Sequence, residues 1–343
     1  MKALKIFPTV FLFLLIAKCS VGQDINFSQF YDLPMLRNPA LAGIFTGDVR
    51  LTSAYRNQWE SVTTPYRTVA LGIELKKSLG ENSGDFLTYG VQVTKDMAGD
   101  SKLSRTQVFP VLNYHKSLSS DKASYLSAAF MGGPVMQQFD PSKLTFDDQY
   151  VGGAYSQSNP TRQTFSTTKL TYWDPAVGLC YSSVAGENTT YYIGAGIYHF
   201  TKPKVAFQKQ NDISLNTKYA LNAGFSTALD YQSKLTFYGD YFTQGGSSLA
   251  QGGLLFTREL DERADKQKLT IAGGLFYRLK DAFIPVVKLE YYQLGVGLTY
   301  DVNSSKLKTA SQSRGGFECT LSYKGFRQNR NSSLDMVMCP RFF

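Results

Sequence analysis

Between Tyr292 and Val302 the chain reads YQLGVGLTYDV. Successive residues of a strand point to opposite sides, so Leu294, Val296, Leu298, Tyr300 and Val302 share one face and Gln293, Gly295, Gly297, Thr299 and Asp301 the other. Such a segment separates an apolar medium from a polar one. Either the apolar face packs on a protein core with the polar face in water, or the apolar face meets lipid and the polar face lines a lumen.

The same alternation recurs along the chain. YALNAGFSTALDY sets Tyr219, Leu221, Phe225 and Leu229 against Asn222, Gly224 and Ser226; KLTIAGGLFYRL and GGFECTLSYKG repeat the pattern. These segments run about ten residues between turn residues, the length a tilted strand needs to cross a bilayer. Read in order they predict strands at 47–56, 66–75, 85–95, 103–115, 122–132, 173–184, 189–200, 216–229, 233–243, 249–259, 266–279, 282–290, 292–302 and 314–324. That is fourteen, an even number, as a barrel with both chain ends on one side requires. The longest connections, 133–172, 201–215 and 303–313, follow odd-numbered strands and share one rim, whereas turns such as 185–188 and 230–233 follow even-numbered strands and are short. Long loops on one rim and short turns on the other is the outer-membrane pattern, and a soluble sandwich has no reason to sort its loops by parity. The expected fold is all-β: a transmembrane outer-membrane β-barrel of about fourteen antiparallel strands, its apolar faces in lipid.

One long apolar run exists, FPTVFLFLLIA at 7–17, behind Lys2 and Lys5 and ahead of KCSVGQ. A charged start, a short apolar core and small residues before Gln23 predict an exported chain with a signal peptide over 1–22. Lipidation at Cys19 is the rival, but Lys18 stands where a lipobox takes a small residue. The net charge of +9 at pH 7 falls as Lys2, Lys5 and Lys18 leave with the leader. No Lys/Arg cluster marks nucleic acid as a partner. The mature chain keeps Cys180, Cys319 and Cys339, without CxxC or Cys/His spacing. Isolated thiols are therefore expected rather than structural zinc or a disulfide framework, with a Cys319–Cys339 bridge as the open alternative.

The domain plan that follows is a signal peptide at 1–22, an N-terminal plug or cap at 23–46, the barrel over 47–326 and a periplasmic tail at 327–343. Pro34, Pro39 and Gly43 break any regular strand in the plug segment. Lys288, Glu290, Asp301, Glu318 and Lys324 lie on the inward faces of the last strands and carry both signs. An unpaired charge in a narrow lumen loses water without compensation, so these residues predict a lumen closed by ion pairs and hydrogen bonds.

Seven words in order, FSQFYDLPMLRNPALAG, YRNQW, KLTFDDQY, YWDPAVGLCYSS, YYIGAGIYHFTKP, KYALNAGFS and the terminal CPRF, resemble the PorP/SprF family of Bacteroidetes outer-membrane proteins. The likeness runs from about residue 24 to the C-terminus. It implies a component of the type IX secretion system and, in gliding bacteria, of the motility machinery. Implied partners are a secreted surface protein, such as an adhesin with a type B C-terminal domain, other type IX components of the periplasm and outer membrane, and outer-membrane lipid.

Several residues stand out as candidate contacts. Arg37, Asn38 and Pro39, in RNPALAG, read either as a plug that touches a periplasmic partner or as a rigid turn capping one end of the barrel. Tyr55 and Trp59, in YRNQW, are expected as interfacial aromatic anchors at the outer rim, with Arg56 meeting lipid head groups. Lys143, Phe146, Asp147 and Asp148 sit in the 133–172 connection, which is too long for a structureless tie and is expected to fold over the mouth or grip a protein. Two adjacent acids point apart, which argues against calcium there. His115 and His199 are the only histidines, neither in a visible catalytic or metal-ligand arrangement, and His199 among its aromatics reads as a girdle residue. The expectation is a non-enzymatic barrel without cofactor that docks or tethers surface proteins. The alternatives are a channel for hydrophobic solutes like the fatty-acid transporters, whose plug carries a word like Asn38-Pro39-Ala40, and a porin-like open pore.

Overall fold

The computed structural model describes residues 24–60, 64–80, 84–119, 123–207, 212–260, 269–305 and 308–326. The expected signal peptide, the tail at 327–343 and Cys339 lie outside the described residues; Cys180 and Cys319 are free thiols.

The strands are β1 (Val49–Gln58), β2 (Tyr66–Ser78), β3 (Phe86–Ala98), β4 (Leu103–Ser117), β5 (Tyr125–Gln138), the two-residue β6 (Tyr150–Val151) and β7 (Ala154–Tyr155), then β8 (Lys169–Ala185) and β9 (Thr189–Tyr198). There follow β10 (Lys218–Ala228), β11 (Ser233–Gln244), β12 (Ser247–Glu259), β13 (Leu269–Arg278), β14 (Ala282–Tyr291), β15 (Leu294–Asn303) and β16 (Arg314–Gly325). All but β6 and β7, which form a small hairpin of their own, pair antiparallel in one closed barrel of fourteen strands sealed by β1 against β16. Closure leaves no free edge strand, so each strand of the wall is paired on both sides.

β15 answers the question its sequence raises. Leu294, Val296, Leu298, Tyr300 and Val302 are exposed on the outside, and Gly295, Gly297, Thr299, Asp301 and Asn303 are buried within. The outward rows of the other strands are equally apolar, among them Leu71 and Ile73, Phe130, Ile193, Leu221 and Leu275. An apolar surface this continuous belongs in lipid.

The sequence reading ends the fifth strand at 132, before Gly133 and Pro134, but β5 runs on to Gln138. The ladder between β4 and β5 steps from Gln107↔Val135 to Val111↔Met131 across Pro110 and Pro134, which have no N–H to donate, and pairing then resumes in the same register. A closed wall carries a strand across an interruption that would end an isolated one.

Tight turns such as Gly245–Gly246, both at positive φ, join strands whose ends meet directly. The chain ends of the barrel and turns such as 186–188 and 229–232 share one rim, and the connections 139–168 and 199–217 share the other. By the outer-membrane rule these are the periplasmic and exterior rims, inner and outer below.

Candidate functional site: the strap in the lumen and the outer loops

Residues 24–48 occupy the lumen as a strap. Its backbone coils through a one-turn helix at Pro34–Arg37 and 3-10 turns at Phe30–Asp32 and Pro39–Leu41, where Pro34 and Pro39 each open a turn with a pre-set φ. From Phe27 to Phe45 nearly every residue is buried. Tyr31 stacks on both Tyr238 and Phe276, each ring 5.1 Å away, and those two lie 6.5 Å from each other. Met35 packs with Phe109, Val111 and Met131 of the wall. The hydrophobic core thus sits inside the barrel, built by strap and wall together.

The strap carries three charged side chains before Asp48, and each meets an opposite charge on the wall. Asp24 accepts from Arg105 Nη1 at 2.7 Å and from Lys218 Nζ at 3.3 Å. Asp32 accepts from Lys288 Nζ at 2.7 Å. Arg37 donates twice to Asp240, at 2.8 and 2.7 Å, with its guanidinium 5.0 Å from the Phe30 ring. Wall charges also hold the strap's backbone, whose irregular path leaves groups that no ladder can satisfy. Glu318 accepts from the amides of Ser28 and Gln29, both at 2.7 Å. Glu74 accepts from Gly43 N at 2.8 Å while paired twice with Arg50. Lys76 donates to Phe45 O at 2.6 Å, and Asn113 to the carbonyls of Ala40 and Ala42.

Two glycine positions show how closely strap and wall approach. Gly43 has φ +85°, and a Cβ there would meet Thr88 and His115. At Gly178 a Cβ would collide with the Asn38 amide, which caps the turn at Ala40 N and donates to Leu179 O.

The inward charges expected at the site all lie at this interface or beside it. Lys288 binds Asp32, and Glu290 lies 3.3 Å from both Lys288 and Lys324. Asp301 accepts from Ser28 Oγ, Arg56 and Arg278. Arg37, Asn38 and Pro39 are buried in mid-lumen rather than at a barrel mouth. Tyr55 faces outward, and Trp59 is half-buried just past β1, its amide donating to Gly315 O. Lys143, Asp147 and Asp148 are exposed on the 139–168 connection, where the Arg162 amide holds the Asp148 carboxyl below its ordinary range. Phe146 packs on Phe165, which with Phe139 and Phe207 ties the 139–168 and 199–217 connections together.

Two expectations are corrected. Arg56 does not meet lipid head groups; it is buried, donating to Asp301 and to Asn26 O, because it shares the inward parity of Arg50 and Thr52. His199 is not a girdle residue. Its φ of +56° turns it inward past the end of β9, where Nδ1 lies 2.7 Å from Asp174 and Nε2 3.4 Å from Asp24. Burial alone would depress this imidazole, but the hydrogen bonds and charges of Asp174 and Asp24 outweigh it and hold its pKa above the ordinary 6.5. His115 stacks on Phe86 at 3.9 Å and bonds Ser127, a packing role.

Sequence reasoning missed Arg50, Glu74 and Asp240, all inward on the strand alternation, and the strap residues Asp24, Ser28 and Asp32; the alternation of KLTIAGGLFYRL puts Arg278 on the polar face, and it is buried in the lumen. Among the described residues no group of three or more His, Cys, Asp and Glu could hold a metal ion. A cavity at the outer mouth, lined by residues including Phe27, Phe30, Leu36 and Phe242, holds about 10 Å³, room for about one water.

No curated protein sequence matches. Among solved structures the chain is similar to the toluene transporter TbuX of Ralstonia pickettii (12% identity, 85% of this chain and 92% of that one, TM-score 0.46). It is also similar to the CymD monoaromatic hydrocarbon channel (13%, 90% and 96%, 0.46) and to a Pseudomonas aeruginosa FadL homologue (9%, 84% and 92%, 0.42). At these identities the likeness concerns barrel architecture alone. A family model, by contrast, matches residues 20–323, nearly the whole chain, and by it this outer-membrane barrel belongs to the type IX secretion system membrane protein PorP/SprF family.

Proposed function

We propose that this barrel is a non-enzymatic docking part of the type IX apparatus. It holds a secreted surface protein, an adhesin with a type B C-terminal domain, at its outer loops and meets periplasmic components at its inner rim. The observation that carries the reading is the filled lumen: among the described residues a strap fixed to the wall by buried ion pairs occupies the space a solute would have to cross, so contact surfaces remain as the working parts. The two long outer connections, tied together through Phe139, Phe165 and Phe207, offer such a surface.

Affinity purification from native membranes followed by mass spectrometry tests the proposal. A surface protein and other type IX components should be retained, and deletion of the gene should release that surface protein into the medium. Unchanged placement of every surface protein after deletion would overturn the docking role. Uptake of toluene or long-chain fatty acids by reconstituted protein would favour a channel instead.

A further inference from the structure

We infer that the strap is threaded through the barrel from outside to inside, so that the chain enters the lumen at the exterior mouth. The wall partners at the two ends of the strap lie on opposite rims. Asp24 is held by Arg105, third residue of β4, by Lys218, first of β10, and by His199, just past β9; its amide donates to Gln244, last of β11. All four wall positions lie at the outer rim. Ser28 meets Asp301 and Arg278, still near that rim, the latter being the last residue of β13. Asp32 meets Lys288, seventh of ten residues down β14, whereas Arg37 meets Asp240, fifth of twelve from the outer end of β11. Tyr198 at the outer end of β9 donates to Met35 O, so the strap dips at Asp32 and rises again before its final descent. Gly43 and Phe45 meet Glu74 and Lys76 towards the inner end of β2. Asp48 then donates to Gly325 O, at the inner end of β16, and β1 begins.

The path is not monotonic, but it begins at the outer rim with Asp24 and ends at the inner rim with Asp48, so the strap is not a hatch folded up from the periplasm with both its ends on that side. Its two ends lie on opposite faces of the membrane, with Asp24 at the exterior mouth beside His199, where the 199–217 connection begins. The inference rests on the barrel's orientation and on these contacts, not on the docking role.

Epitopes placed singly before Asp24, at Gly153 in the outer hairpin and at Gly186 in an inner turn would test it in whole cells. Gly153 and Gly186 have open space around them, and heat-modifiable mobility on gels would report folding of each variant. The epitope before Asp24 should bind antibody equally in intact and permeabilised cells, as at Gly153, while Gly186 should read only after permeabilisation. Binding before Asp24 only after permeabilisation, with Gly153 exposed, would overturn the inference, and so would exposure of Gly186 in intact cells. If the insertion blocks assembly, Ile25→Cys probed with a membrane-impermeant maleimide decides. Labelling in intact cells supports threading, and labelling only after permeabilisation sinks it. Surface-protein retention is not read in either experiment, so a failure of the docking proposal would leave these outcomes unchanged.

Discussion

The strap is fastened at both ends by charge, and the two fastenings differ in their access to water. At the inner end Glu74 and Arg50 are 1% and 3% exposed at the side chain, and the same carboxylate holds Gly43 N. At the outer end Asp24 and Arg105 are each 15% exposed, and Asp24 is shared among Arg105, Lys218 and His199. A shared, partly hydrated carboxylate can lose one partner and keep others, with water filling in. A fully buried pair that loses a member leaves an ion with neither solvent nor partner, the costliest defect in a core. The inner fastening is accordingly the rigid one and the outer the adaptable one.

Removing one carboxylate at each end measures the difference. Glu74→Ala strands the Arg50 guanidinium and the Gly43 amide, and should cost about 3–5 kcal/mol in urea unfolding from detergent micelles. Gly43→Ala breaks the same end by another route, since an alanine Cβ at φ +85° would meet Thr88 and His115; about 2 kcal/mol is expected. Asp24→Ala should cost only about 1 kcal/mol, near the value of partly exposed pairs. Equal losses for Glu74→Ala and Asp24→Ala would break the comparison.

The sequence discloses the two components unequally. The fourteen wall strands are legible because a lipid-facing wall imposes strict period-2 alternation, and the same parity exposes the inward charges at Lys288, Asp301 and Glu318. Parity would have placed Arg56 inward too; its rim position and its neighbours Tyr55 and Trp59 hid it. His199 was not legible, since its inward turn depends on a positive φ at a strand end. Nor were the strap's pairings. Arg37 and Asp240 stand 203 residues apart, and a coil with no repeat of its own takes its register from the wall rather than from its own pattern.

The outer fastening should also answer to pH where the inner one does not. His199 faces Asp174 of β8 and Asp24 of the strap, with Arg105 of β4 and Lys218 of β10 on the far side of Asp24. Its pKa is raised on folding, so the protonated imidazole is the form the native state prefers. That contribution is complete below the ordinary value of 6.5 and is lost as pH rises through the higher folded value. Unfolding midpoints should therefore fall over that window, and His199→Gln should remove that fall while Glu74→Ala keeps it. A slope unchanged in His199→Gln would assign the titration elsewhere and remove the claim that the outer end is adaptable.

The smallest stability change is expected farthest from the strap. Lys143 and Asp148 are exposed on the connection beyond the outer mouth, and Asp148 accepts within its own loop from Thr161 and the Arg162 amide. Lys143→Ala combined with Asp148→Ala should leave the unfolding midpoint unchanged, because both side chains are exposed and the bonds of Asp148 stay within the loop. The amount of surface protein that co-purifies with the barrel should nonetheless drop if this loop carries the docking surface. Undiminished co-purification would move that surface off the loop and towards the outer end of the strap, where Asp24→Ala, itself nearly neutral in stability, would then be the variant that releases the partner.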